Sequence, residues 1–223
     1  TSKPKAIEKD HIRDNGLLHQ ESLKVFYYHI ILFYLLCLPV SCTYSKQFTH
    51  TYYQENETTL RSIRERFIQL YDKNPFSLEL KDKYLNRIGL EIHTDSIKYI
   101  YSFRLDEPNF LDTLHKYQFD VKDMIALIID MQKTQCTWIT NLDYYEKRQK
   151  KFLVFISVRD KKLTAFLKPE KYFTLAFFDQ PQPYDEKERL LDNEDLTKNR
   201  LINGAVFRKV NDKVSYALTG KYR

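Results

Sequence analysis

Ile88-Gly89-Leu90-Glu91-Ile92, then His93-Thr94-Asp95-Ser96, then Ile97-Lys98-Tyr99-Ile100-Tyr101-Ser102-Phe103-Arg104-Leu105, is the stretch on which the fold turns. Ile88, Leu90 and Ile92 alternate with other residues, and so do Ile97, Tyr99, Tyr101, Phe103 and Leu105. A period of two puts successive side chains on opposite faces of a strand. The four residues between the runs are turn formers. The segment therefore predicts an antiparallel hairpin with one buried face and one polar face.

Helical periodicity flanks this hairpin on both sides. Upstream, Leu60, Ile63, Phe67, Leu70 and Tyr71 recur at helical spacing, with Thr58 or Thr59 as the cap and Asn74-Pro75 as the stop. Arg61, Arg64, Glu65 and Arg66 fall on the opposite side, which predicts a solvated face. Downstream, Asp106-Glu107-Pro108 opens a helix carrying Phe110, Leu111, Leu114 and Tyr117. Asp120, with Asp123 three residues on, caps another whose inward side is Met124, Leu127, Ile128 and Met131. The remainder is mostly strand: Cys136–Thr140, Phe152–Val158, Leu163–Leu167 and Tyr172–Phe178, then a last hairpin, Val206–Val210 and Val214–Leu218. The polar stretch Asp179–Gly204 predicts a long loop with one short helix between Asp185 and Arg200. The order is helix, hairpin, two helices, strands. It is not a β-α-β alternation, so the expected fold is α+β: an antiparallel sheet built from hairpins, with a helix hairpin and an N-terminal helix packed on one face.

Val25 to Val40 is an apolar run behind Lys24, and it stops at Ser41-Cys42. A positive residue, an apolar stretch over Ile30–Leu38, Pro39 and the small Ser41 make an export signal. The residues Leu38-Pro39-Val40-Ser41-Cys42 resemble the type II signal of bacterial lipoproteins, in the relaxed form of the Bacteroidota. That resemblance implies cleavage before Cys42 and a diacylglycerol thioether on its sulfur. It is confined to this segment and implies nothing about the body. The expected organisation is a leader at 1–22 (upstream translation, with Leu23 at a leucine-type start), a signal peptide at 23–41, a lipid-anchored tether at 42–57 and one α+β domain at 58–223. An uncleaved anchor is the main rival, although the run is slightly short for a bilayer-spanning helix.

Composition removes several function classes. The formal charge of +6 comes from 36 basic and 30 acidic residues that are interspersed, so nucleic acid is not an expected partner. The densest basic patch, Lys147-Arg148-Gln149-Lys150-Lys151, is expected to be a solvated connection between strands. With 4 glycines the chain has neither GxGxxG nor GxxxxGK[ST]. His50, His93 and His115 have no second His or Cys at i+3 or i+4, so no metal site is expected. Cys136 is expected in a core strand rather than as a nucleophile. No serine has a Gly-x-Ser-x-Gly setting. No catalytic residue and no cofactor is expected. Pro181, Pro183 and Tyr184 in the long loop are the candidate interaction segment. The expected role is non-catalytic binding at the cell envelope, facing the periplasm or exterior, with the membrane and an envelope protein or glycan as partners. The alternative is an exported, hydrolase-like enzyme whose site is assembled from distant residues.

Overall fold

The computed structural model describes residues 40–146, 148–159 and 172–219, with side chains from Thr49 onward. Thr49–Arg223 forms one unit, and of Thr1–Phe48 only the helical backbone from Val40 is described. The leader at 1–22, the signal up to Pro39 and the expected strand Leu163–Leu167 lie outside the described residues.

Helix α1 runs Val40–Tyr71. It starts well before Thr58, so the expected cap at Thr58 or Thr59 is corrected, and the tether segment 42–57 is helical backbone. Thr49, Tyr53, Leu60, Ile63, Phe67 and Leu70 are all buried, with half-buried Asn56 between them. These positions follow a spacing of four and three, a continuous stripe down one helix face. Polar residues hold two of the upper positions, which hid the early turns. The stripe still works there because Asn56 Nδ2 donates to the Tyr52 carbonyl at 2.9 Å and Tyr52 Oη donates to the Thr134 carbonyl at 2.7 Å. The helix ends as Asn74 N–H bonds back to Leu70 O, just before Pro75.

β1 (Phe76–Leu80) follows immediately and was not foreseen. Phe76, Leu78 and Leu80 face the helices, while Ser77 and Glu79 point to the other face and are also buried. β2 (Arg87–His93) and β3 (Lys98–Arg104) are the expected hairpin, in register from Arg87–Arg104 to His93–Lys98. β2 buries Ile88, Leu90 and Ile92 as expected. β3 departs from expectation: it is an outer strand, and only Phe103 on it is buried. α2 (Pro108–Lys116) covers that end alone, with Phe110 against Phe103 at 5.7 Å between ring centroids.

α3 (Val121–Lys133) begins at the expected cap, where Asp120 Oδ1 accepts from Asp123 N–H at 2.9 Å. Met124, Leu127, Ile128 and Met131 are buried. β4 (Cys136–Glu146) and β5 (Gln149–Arg159) form a longer hairpin than the sequence suggested, and Arg148, Gln149, Lys150 and Lys151 of the basic patch lie at its turn end. Lys150 Nζ sits 2.9 Å from Asp143 there. β6 (Tyr172–Phe178), β9 (Arg208–Asn211) and β10 (Val214–Thr219) complete an eight-stranded antiparallel sheet ordered β3-β2-β1-β4-β5-β6-β10-β9. The fold class is α+β, as expected. β1 joins the two halves of the sheet: the meander β1–β3 meets the other half, ordered β4-β5-β6-β10-β9, through the pairing of β1 with β4.

The segment between β6 and β9 holds no helix. It is a string of turns fixed by carboxylates: Asp185 Oδ1 accepts from Lys187 and Arg189 N–H, and Asp192 Oδ1 from Glu194 and Asp195 N–H. β7 (Leu201–Ile202) and β8 (Ala205–Val206) pair across Asn203-Gly204, both at positive φ, the requirement of a type I′ turn. Leu190, Ile202 and Phe207 from this segment pack on Trp138, Leu153, Phe155, Ala176, Phe178 and Ala217. The β4–β10 half thus has apolar packing on both faces, helices on one and this loop on the other.

Candidate functional site

The expected interaction loop is built into the body rather than projecting from it. Pro181 is exposed and Pro183 half-buried, and the Pro183 carbonyl accepts from Leu191 N–H at 3.0 Å. Tyr184 Oη lies 2.8 Å from Ser215 Oγ and donates to Asn211 O at 3.3 Å. Burial pushes its phenol above the ordinary tyrosine range. Lys209 Nζ lies over its ring at 5.4 Å. Tyr184 is therefore an anchor, and Pro181 is the residue of the three most open to a partner.

Beside that anchor an open groove of about 400 Å³ runs between α1 and the β9–β10 turn. Tyr53 and Phe177 form its apolar wall, at 6.4 Å between centroids. Asn211 Nδ2 donates to Tyr53 Oη at 3.3 Å and ties the turn to the helix. Three cations border the space: Arg61, Arg64 and Lys213. Arg61 bonds Glu57 through two nitrogens, and Arg64 bonds Asp179, which opens the loop. Lys213 makes no ion pair among the described residues. The expected solvated arginine face of α1 is corrected here. Arg64 reaches Asp179, and Arg66 reaches Asp130 at 3.0 Å, so both serve tertiary contacts. Aromatic walls with one uncommitted cation suit an anionic or carboxylate-bearing partner that also offers apolar surface.

A larger open space, about 650 Å³, lies where the β1–β2 connection meets the end of β3. Most of its charges are already engaged, although exposed Arg87 makes no ion pair among the described residues. Asp82 Oδ1 accepts from Asn86 and Arg87 N–H at 2.6 and 2.8 Å, and Arg104 pairs with Asp106 at 3.1 Å.

Neither chain similarity nor shared structure supplies a second opinion. No protein-family model, curated protein or solved structure matches the chain.

Under the loop, the Arg200 guanidinium lies over the Tyr144 ring, 4.2 Å from its centroid, and donates to Gln182 Oε1 at 3.3 Å. Burial lowers the Arg200 pKa, and burial followed by the Glu146 charge raises that of Tyr144. This cluster joins the loop to β4 and is not open to a ligand in the way the groove is. Sequence reasoning had no signal for it, since the contacts span distant parts of the chain.

Cys136 is fully buried with a free thiol, as expected of a core strand. Burial pushes its pKa up to about 12, so it carries no thiolate at neutral pH. His93 is held below the usual histidine range, first by burial and then by Lys98. Among the described residues no three His, Cys, Asp or Glu side chains converge. Cys42 lies in the first turn of α1.

Proposed function

We propose that this chain is an envelope lipoprotein, tied to a bilayer by lipid on Cys42, whose folded body is a non-catalytic binding module. The address rests on the Leu38–Cys42 pattern. The binding role rests on the groove: the largely buried rings of Tyr53 and Phe177 line it, and exposed Lys213, which makes no ion pair among the described residues, stands at its rim beside the loop that begins at Asp179. Its partner is an envelope protein or glycan bearing carboxylate groups, which Lys213 would meet directly. No helix among the described residues is long and apolar enough to cross a membrane.

Expression of the full reading frame in a bacterium tests the anchor. Mass spectrometry of the mature N-terminus is expected to find a diacylglycerol adduct on Cys42, and Cys42→Ser is expected to accumulate uncleaved. An unmodified, full-length chain in the soluble fraction overturns the proposal. An uncleaved membrane-bound chain replaces the lipid with a signal anchor. Site-specific photocross-linking from Lys213 in intact cells tests the module, with a discrete adduct expected that is lost in Arg64→Glu. A smear identical to that from exposed Lys187 overturns the groove as the binding surface.

A further inference from the structure

The two edges of the sheet are managed in opposite ways. β9 is four residues long, carries Arg208 and Lys209, and pairs with β10 through a register shift. Its outer side is already engaged, because Lys209 N–H donates to Glu188 O at 2.8 Å and Arg208 bridges to Arg189. Shortness, charge, irregularity and a covering loop are the usual protections of an edge. β3 has charge at its ends only, Lys98 and Arg104, and among the described residues it is neither short, irregular nor covered by a loop. It is seven residues long without Pro or Gly. At or next to it Ile97 is 54% exposed, Tyr99 39% and Ile100 64%.

The hydrogen-bond phase shows which groups are open. Thr94 N–H donates to Ile97 O, and Leu105 N–H donates to Asn86 O, both at 3.0 Å. Bonding alternates along an antiparallel pair. Residues 97, 99, 101, 103 and 105 therefore bond inward to β2, and Lys98, Ile100 and Ser102 point N–H and C=O outward. Arg104 also faces outward, but its carbonyl already accepts from Glu107 N–H at 3.1 Å.

We propose that β3 pairs antiparallel with β3 of a second copy, about a two-fold axis at Ile100. Two observations select that register. Centring on Tyr101 would set Lys98 opposite Arg104 of the other copy, a like-charge pair on each side of the axis, and would call on the Arg104 carbonyl that is already engaged. Centring on Ile100 places Lys98 opposite Ser102, Ile100 opposite itself and Tyr99 opposite Tyr101. It uses the three open residues and no others, for about six main-chain hydrogen bonds. On the helix side it extends the ring cluster, in which Tyr101 Oη already lies 2.7 Å from Tyr117 Oη. An isologous contact consumes the edge it uses. Because β9 is closed, association stops at two copies and does not run on into a filament.

Analytical ultracentrifugation of the full chain is expected to show a concentration-dependent dimer, with the Lys98, Ile100 and Ser102 amides slowed in hydrogen exchange. Ile100→Lys and Ile100→Glu are each expected to be folded monomers, since the side chain is exposed. Their equimolar mixture is expected to regain the dimer, because the two charges meet at the axis. A monomeric wild type overturns self-pairing and leaves the edge to an extended segment of another protein. A dimer that survives Ile100→Lys, or assemblies beyond two, overturns it equally.

Discussion

Phe67→Ala is expected to lower the free energy of unfolding by about 3–5 kcal/mol, the range for removing a fully buried aromatic ring. Phe67 has no exposed surface. Its ring lies 4.9 Å from Phe76 and 5.5 Å from Tyr71, and Phe76 in turn meets Phe119 edge-on at 5.2 Å. It therefore links α1 to β1 and to the segment between α2 and α3. Truncation should fall toward the top of the range because collapse is obstructed. A void of about 40 Å³ already adjoins the site, lined by Ile68, Asn141 and Val154. Asn141 Oδ1 is buried there without a hydrogen bond. Enlarging a void beside an unpaired carbonyl forfeits dispersion contacts. Urea denaturation should show a lower midpoint with an unchanged slope, the signature of lost stability rather than a changed denatured state. Phe67→Leu keeps most of the volume and should lose no more than about 1.5 kcal/mol. Equal losses for both variants would mean that ring geometry, not filled space, is what α1 supplies.

How far the sequence speaks for itself depends on how local each signal is. The lower half of α1 was readable because Leu60, Ile63, Phe67 and Leu70 are all apolar. The upper half was not, because Thr49 is buried as a polar residue and Asn56 turns its amide back on the helix. β1 has a clean alternation in Phe76-Ser77-Leu78-Glu79-Leu80, but five residues directly after a helix stop are easily taken as connection. Its polar positions gave no hint of burial either. Ser77 is buried because its hydroxyl meets Thr140 Oγ1 at 2.7 Å, a partner far along the chain. β3 misled in the other direction: its alternation was correct, but whether a face is covered depends on sheet order. The short helix expected between Asp185 and Arg200 is absent, although Asp185 and Arg189, four apart, do pair at 2.7 Å. The pair closes a turn instead, since Asp185 also binds the Lys187 and Arg189 amides. Asn203-Gly204 is a local hairpin signal there, and the expected loop Asp179–Gly204 passes over it. The groove had no local signal at all. Arg64 and Asp179 are 115 residues apart, and Tyr53 and Asn211 are 158 apart. Such a site is created by the order of strands, which periodicity does not encode.

That order also locates the most sensitive backbone position, and Leu78→Pro is expected to abolish the native fold. His93 N–H donates to Pro75 O, and Lys81 N–H donates to Arg87 O, each at 2.8 Å. The odd-numbered residues of β1 therefore bond β2, and the even-numbered ones bond β4. Leu78 stands opposite Ile139, so its N–H and C=O are the pair exchanged with β4. The registered β1–β4 pairing comprises that position and Glu79–Trp138. Proline at 78 deletes the donor and sets a ring against the neighbouring strand in the middle of a sheet, where proline is not tolerated. Leu78→Ala isolates the side-chain part: the ladder survives, and the loss should be about 2–5 kcal/mol for emptying a fully buried leucine site. Near-UV circular dichroism and amide exchange separate the two outcomes. With alanine, Ile139 should keep its protection. With proline, protection should vanish from β1–β3 and from β4–β6 together, because neither half of the sheet retains a partner for its inner edge. If proline costs no more than alanine, the two halves of the sheet are held together by α1 and α3 across one face, through contacts such as Arg66 with Asp130 and Tyr52 with Thr134, and the strand pairing between them is incidental to stability.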